Sequence, residues 1–183
     1  MTREDALEAI RENVENENLV KHMIATESIM KELAKHFGED EEDWALAGLL
    51  HDIDVELTEG DMNSHGMLGS DLVREMGVKY EISQAILSHN EMLGVPRETM
   101  MDKALFCADP LTGLITAAAL VRPDKKLAGV EVKSVRKRFK EKSFAAGASR
   151  EGIACCSEIG LELEEFIEIG LKAMQKAADE LGL

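Results

Sequence analysis

A histidine and an aspartate stand side by side at the end of an apolar run in this chain. His51 and Asp52 directly follow residues 44–50, which have the composition of a buried helix. A buried carboxylate without a partner is costly, so Asp52 requires a compensating cation. Imidazole and carboxylate groups are both common ligands of transition metals. The pair therefore indicates a metal site at the end of a buried helix.

Four further polar residues interrupt apolar helical stripes elsewhere in the sequence: His22, His65, His89 and Asp109. Any one inward-facing histidine is more often a hydrogen-bonded core residue than a ligand. A core that held all six residues without a metal, however, would leave many polar groups unsatisfied. We therefore predict one metal centre formed by His22, His51, Asp52, His65, His89 and Asp109. His36 is left out because it lies in the last helical turn before Gly38, where its charge suits the helix dipole.

The elements that must position these residues are all predicted to be helices. Apolar residues recur with helical spacing, and no segment alternates convincingly with a period of two. The predicted helices cover residues 2–14, 18–37, 41–51, 64–76, 80–90, 98–121, 132–144, 149–159 and 162–181. We expect one all-α domain over residues 1–183, with a core of about 18–121 and C-terminal helices of about 130–182 packed on it. Gly48 would let a neighbouring helix approach closely, and Pro110 would kink its helix.

The charge of the chain limits its partners. Its 183 residues include 36 acidic and 21 basic ones, which gives a net charge of −15. This charge disfavours a nucleic-acid polymer or an anionic membrane as a partner of the whole surface. The first residues lack the apolar segment of a signal peptide, and the apolar run 104–121 contains Asp109 and Pro110, which favours a core helix over a membrane span. Three cysteines without disulfide spacing indicate reduced thiols, so we expect a cytoplasmic protein.

A phosphate-binding protein of this charge needs local basic residues. Residues 133–142 contain six of the 21 basic side chains, opposed by Glu141 alone. Helical spacing distributes these side chains over different faces, so they cannot all contact one ligand, and the alternative for most of them is a solvated surface. We expect Lys133 and Arg136 to contact substrate phosphate, with Arg150 as a weaker candidate.

The order His22, His51-Asp52, Asp109 resembles the HD superfamily of metal-dependent phosphohydrolases, which is named after the His-Asp doublet. His65-Gly66 and Ser88-His89 resemble the additional histidines of the branches that hold two metals. The resemblance covers roughly residues 18–120. The stretch 49–54, with the pattern His-Asp-x-Asp, is similar to a subgroup of small hydrolases of unknown substrate. This resemblance implies an HD-type helical bundle.

The resemblance also implies the roles of the site residues. His22, His51, Asp52 and Asp109 would hold the first of two divalent ions, iron, manganese or another metal, with Asp52 as the bridge. His65 and His89 would complete the second site. The alternative is a mononuclear site in which these two histidines contact substrate phosphate. Asp52 and Asp54 are the expected catalytic residues: Asp54 would orient a water molecule or hold a histidine proton, unless it is a solvated residue of a loop or helix end.

The implied activity is hydrolysis of a phosphoester or phosphoanhydride in a small, nucleotide-like substrate. A branch that cleaves symmetric dinucleoside tetraphosphates has the same order of six ligands and a similar size. The cyclic-di-GMP phosphodiesterase branch is disfavoured because no Gly-Tyr-Pro motif follows His65 or His89. The alternative function is a metal-stabilised nucleotide sensor or interaction module without turnover. Apolar residues between 163 and 171 would serve either the core or the interface of a homodimer.

Overall fold

The computed structural model describes residues Met1–Leu183, which form helices without any β-strand. The predicted all-α fold is therefore confirmed. The ten α-helices are α1 (Arg3–Asn13), α2 (Glu17–Phe37), α3 (Glu41–Leu50), α4 (Met67–Glu75), α5 (Tyr80–His89), α6 (Met100–Leu120), α7 (Val132–Lys140), α8 (Arg150–Ala154), α9 (Leu163–Lys176) and α10 (Ala178–Leu181). Short 3₁₀ helices lie at Glu91–Leu93, Leu127–Gly129 and Cys155–Ile159.

The helix ends follow from side chains that satisfy free backbone groups. Asp40 accepts hydrogen bonds from the backbone N–H groups of Glu42 and Asp43, which starts α3. Thr99 and Asp102 form a capping box at the start of α6. Gly38 ends α2 with a φ of 73°, a left-handed conformation that favours glycine. The short connection after α2 lets α3 fold back on it.

Four predicted helices differ from the observed ones. The predicted helix 64–76 begins at Met67, because Gly66 adopts a φ of 82° and interrupts helical geometry. The predicted helix 149–159 is α8 followed by a 3₁₀ turn, and 162–181 is divided at Ala177 into α9 and α10. Periodicity detects the apolar face but not a change of helix type within it. The remaining predicted helices agree within a few residues, except that α7 ends at Lys140.

Helix α2 lies at the centre of the fold and packs against α3, α6 and α9. A Cβ atom on Gly48 would lie 2.8 Å from backbone atoms of Thr26 and Glu27, so the backbones of α3 and α2 are in direct contact. This is the close approach that Gly48 predicts. It holds the end of α3, and with it His51 and Asp52, against the side of α2 that carries His22.

The C-terminal helices complete the core. Phe166 and Ile167 are fully buried and Leu171 nearly so, which places these three residues in the core, whereas Leu163 and Ile169 are half-buried. Helix α6 continues through Pro110 as one helix of 21 residues. By length and composition α6 could cross a membrane, but 56% of its most apolar window is buried inside the fold, which is typical of a core helix.

Candidate metal centre

The predicted metal ligands come from five parts of the fold and meet in one place. His22 lies on α2, His51 and Asp52 directly follow α3, and His89 is the last residue of α5. His65 lies in the turn before α4, and Asp109 lies on α6. Two overlapping groups of ligand atoms, each within 4.8 Å of one another, are formed by His22, His51 and Asp52 and by Asp52, His65 and His89.

Asp52 belongs to both groups. Its Oδ1 atom lies 3.4 Å from His51 Nε2, 3.3 Å from His65 Nε2 and 3.5 Å from His89 Nε2. Its Oδ2 atom lies 3.5 Å from His22 Nε2. One carboxylate therefore faces four imidazoles, as a bridging ligand between two ions would.

Asp109 extends the group that contains His22. Its Oδ1 atom lies 3.1 Å from His22 Nε2 and 3.9 Å from His51 Nε2. Four side chains therefore surround the first position and three surround the second, with Asp52 shared. The two groups of side chains correspond to the two sites that the resemblance implies.

The outer nitrogen of each imidazole has a hydrogen-bond acceptor that fixes the tautomer. His51 Nδ1 donates to the carbonyl of Gly48 at 2.8 Å, and His89 Nδ1 donates to the carbonyl of Ile86 at 2.5 Å. A carbonyl oxygen can only accept, so both Nδ1 atoms carry the proton. Their Nε2 atoms are then free to bind a metal.

In the other two histidines, side-chain oxygens accept the hydrogen bond from Nδ1. His65 Nδ1 donates to Asp54 Oδ1 at 2.8 Å. His22 Nδ1 lies 2.8 Å from the hydroxyl oxygen of Thr112, whose own proton goes to the carbonyl of Asp109 at 2.7 Å. The Thr112 oxygen therefore accepts from His22. Hydrogen bonds of this kind orient metal-binding histidines and raise their basicity.

The distances between the Nε2 atoms of the histidines show whether the site fits a metal. His22 Nε2 lies 3.2 Å from His51 Nε2, and His65 Nε2 lies 3.1 Å from His89 Nε2. Two unprotonated nitrogens at this distance repel each other unless a cation lies between them. Ligands at about 2.0–2.2 Å from one ion are about 3.0–3.5 Å apart, which matches these separations. The residues present fit divalent metal ions.

Without ions, protons balance the carboxylates. Burial favours the neutral acid of Asp52, but the surrounding histidines outweigh it and hold the pKa of Asp52 well below its usual value. Burial also opposes protonation of His65, but the carboxylates of Asp52 and Asp54 outweigh it and raise the pKa of His65 to about 10. In His51, burial prevails and lowers the pKa. Metal ions must therefore displace protons from part of the centre.

Asp54 is fully buried, which excludes a solvated loop position. Besides holding His65, it accepts hydrogen bonds from the backbone N–H groups of Gly66 and Gly69 at 2.8 and 2.7 Å. Both carboxylate oxygens are thus used on the side of His65 that faces away from Asp52. Of the expected roles, holding the histidine proton fits this geometry, so we assign Asp54 as a positioning residue rather than a catalytic one.

The structure does not bring the expected phosphate-binding residues to the centre. Lys133 pairs with Glu131 at 2.8 Å with 84% of its side chain exposed, and Arg136 pairs with Glu164. Arg150 donates to backbone carbonyls that include those of Phe139, Ala145 and Ala148, so it supports a loop. None of the three lines the depressions beside the metal ligands. Helical spacing assigns the basic side chains of α7 to different faces of the helix, but it does not show which face lies towards the metal centre.

Sequence reasoning also missed residues that belong to this region. Thr112, which orients His22, lies three residues after Asp109 on α6, and this helical spacing is the signal that could have identified it. Lys21 directly precedes His22 and lines a depression beside it. The position of Lys21 next to His22 in the sequence could have indicated this location, whereas the cluster of basic residues indicated α7.

The centre is open along one edge. The side chains of His22 and Asp109 are 24% and 34% exposed, whereas that of His51 is inaccessible. Two depressions adjoin this edge. One, of about 250 Å³, is lined by His65, His89 and Asp109, and the other, of about 540 Å³, is lined by His22 and Thr112.

Comparison with known proteins agrees with the fold and the ligand set. The family model described as HD domain matches residues 19–119. This match covers more than half of the chain and includes all six ligands. The chain therefore belongs to the HD-domain family, a superfamily of metal-dependent phosphohydrolases.

Several curated relatives are named ribonuclease Y. That of Oleidesulfovibrio alaskensis is 31% identical over 54% of this chain and 18% of its own length. That of Syntrophobacter fumaroxidans is 30% identical over 84% of this chain and 28% of its own length. An uncharacterized protein of Methanocaldococcus jannaschii is 30% identical over 73% of this chain and 82% of its own. The chain thus spans less than a third of the ribonuclease Y proteins, and no solved structure matches it.

Proposed function

We propose that this protein hydrolyses a phosphoester or phosphoanhydride bond in a small, nucleotide-like substrate with the help of two divalent ions. One observation carries the proposal: four histidines, each with its Nδ1 proton engaged, direct their Nε2 atoms at the shared carboxylate of Asp52. Once ions displace the protons that the carboxylates retain, all four Nε2 atoms can serve as ligands, whereas a merely structural cluster would not need four histidines held in this orientation. This arrangement supports the proposal of a binuclear hydrolase.

The ions and the residues around them would have different roles in the reaction. When bound, the ions supply Lewis acidity, which eases the ionisation of water and balances the charge of phosphoryl oxygens. Asp52 couples the two sites because one carboxylate serves both pairs of histidines. The side chain of His51 is inaccessible and closes the inner side of the centre, so a substrate approaches along the exposed edge of His22 and Asp109.

Two measurements test this proposal. Elemental analysis of anaerobically purified protein should give two metal equivalents per chain at saturation. One equivalent would favour the mononuclear alternative, in which His65 and His89 contact phosphate. The loaded protein should then release phosphate from at least one of a panel of nucleotides, dinucleoside polyphosphates, cyclic dinucleotides and sugar phosphates. Tight nucleotide binding without any turnover would favour the sensor.

RNA cleavage is a second candidate, favoured by the similarity to ribonuclease Y over as much as 84% of the chain. The net charge of −15 argues against it, because RNA binding depends on cationic side chains near the backbone. In α7, Lys133 and Arg136 are paired with carboxylates. We expect a higher kcat/KM for a free nucleotide than for an end-labelled oligoribonucleotide. The opposite order would replace the small substrate by RNA.

A further inference from the structure

A cavity of about 540 Å³ lies between α2, α6 and the C-terminal turn, directly beside His22. Helix α2 contributes Asn18 and Lys21, which lie one turn apart on the face that carries this ligand. Helix α6 contributes Thr116 and Ala117, one turn after Thr112. The cavity is therefore walled by two helices that also carry candidate metal ligands, and it is lined by His22, whose side chain is 24% exposed.

The lining combines apolar and polar surface. Ala117, Leu120 and Leu181 give it an apolar wall, and Asn18 and Thr116 contribute hydrogen-bonding groups. Lys21 has no carboxylate within ion-pairing distance, unlike Lys133 and Arg136. A free cation beside a metal centre that is rich in carboxylates offers a contact for an anionic ligand.

This combination matches the chemistry of a nucleotide. A base has two apolar faces, which can lie against the wall of Ala117 and Leu120, and a polar edge, which the amide of Asn18 can contact. The volume of about 540 Å³ lies within the range of small-molecule sites, about 300–1,000 Å³. The depression on the other side of the centre, of about 250 Å³, lies below that range and also contains Glu91.

We propose that the cavity beside His22 binds the nucleoside part of a mononucleotide, with Lys21 in contact with its phosphate. The inference rests on the proposed function, because it places the substrate's organic part next to the hydrolytic centre. It adds a direction: the nucleoside lies on the side of α2 and α6, and the scissile bond lies over the edge of His22 and Asp109.

The first test maps the site without metal or turnover. Adenosine 5′-monophosphate is titrated into metal-free protein, and amide chemical shifts are followed by NMR. We expect the largest shifts at Asn18, Lys21, Thr116, Ala117 and Leu181. Shifts confined to the opposite depression around Phe106 and Gly147, or no binding at all, would overturn the inference.

The second test blocks the cavity. Ala117→Phe adds a ring where the base would lie, and we expect the Kd for adenosine 5′-monophosphate to rise about tenfold or more. Lys21→Gln removes the free charge and should raise the Kd about threefold. Lys21→Gln still tests the cavity if circular dichroism shows that Ala117→Phe does not fold. Lys35→Gln, on the exposed last turn of the same helix, is the matched control and should leave the Kd unchanged.

These outcomes are distinct from those of the proposed function. Unchanged binding in both Ala117→Phe and Lys21→Gln would end the inference even if the loaded protein hydrolyses nucleotides. Conversely, binding that Ala117→Phe weakens would support the site even if no phosphoester is hydrolysed. The two proposals can therefore fail separately.

Discussion

Asp54→Asn should weaken one of the two proposed metal sites and spare the other. In the native protein Asp54 Oδ2 accepts from the N–H groups of Gly66 and Gly69, so the amide oxygen of the variant would take that place. The amide NH₂ group would then face His65 Nδ1, which now donates to Asp54 Oδ1 at 2.8 Å. Two donors cannot face each other, so His65 should move its proton to Nε2. That proton would point at Asp52, where the proposed second ion would bind.

The magnitude follows from the bond that is lost. A hydrogen bond to a charged group contributes about 1.5–3 kcal/mol. If that energy holds the binding tautomer of His65, the affinity of the site formed by Asp52, His65 and His89 should fall by about 10- to 100-fold. The other site uses His22, His51 and Asp109, none of which hydrogen-bonds to Asp54 in the native protein, and it should keep its affinity.

Calorimetric titration with Mn²⁺, checked by elemental analysis, measures both sites. We expect one native-like binding step and one weakened step in Asp54→Asn. Asp71→Asn, an exposed change on α4, is the control and should bind two ions as the native protein does. Two native-like steps in Asp54→Asn would refute the proposed role of this hydrogen bond, and equal weakening of both would refute its specificity.

Three further changes test the packing, the protonation and the orientation of the centre. Gly48→Ala places a Cβ 2.8 Å from the backbone of α2 and should lower the free energy of unfolding by about 1–3 kcal/mol in urea titrations, whereas Gly113→Ala, with its nearest neighbour at 3.7 Å, should not destabilise the protein. Metal affinity should rise with pH up to about 10, because an ion must displace the proton that the raised pKa of His65 retains at neutral pH. Calorimetry in buffers of different ionisation enthalpy should therefore detect proton release, and its absence near neutral pH would contradict the shift. Thr112→Val removes the acceptor of His22 Nδ1 and should weaken the first site about tenfold, whereas Thr112→Ser should restore it; native affinity in the valine variant would show that this bond does not orient His22.

Much of the fold could be predicted from the sequence because helical periodicity and capping are local properties. Thr99 and Asp102 form a capping box only three residues apart, and Gly38 ends α2 by its own backbone conformation. Gly48 predicted a close helix contact because the absence of a side chain serves few other purposes in a buried helix. The division of the C-terminal segment at Ala177 leaves no such local signal.

Some features of the candidate site could also be predicted from the sequence, and others could not. The clustering of the candidate ligands could be predicted because a polar residue on an apolar stripe is anomalous, as with His22 and His89. The hydrogen bonds that orient them could be predicted only in part: holding a histidine proton was one of two roles expected for Asp54, whereas Thr112 reaches His22 across 90 residues of sequence. The surroundings of Arg136 could not be predicted for a related reason: the carboxylate that engages it comes from α9, a separate helix.

The central claim is that Asp52 bridges two metal ions, and metal content of Asp52→Asn tests it most directly. The substitution keeps the shape of the side chain but removes the charge that faces four imidazoles at 3.3–3.5 Å. We expect the native protein to retain two equivalents of metal after desalting and the folded variant to retain less than one. An Asp52→Asn protein that keeps both ions would contradict the bridging role.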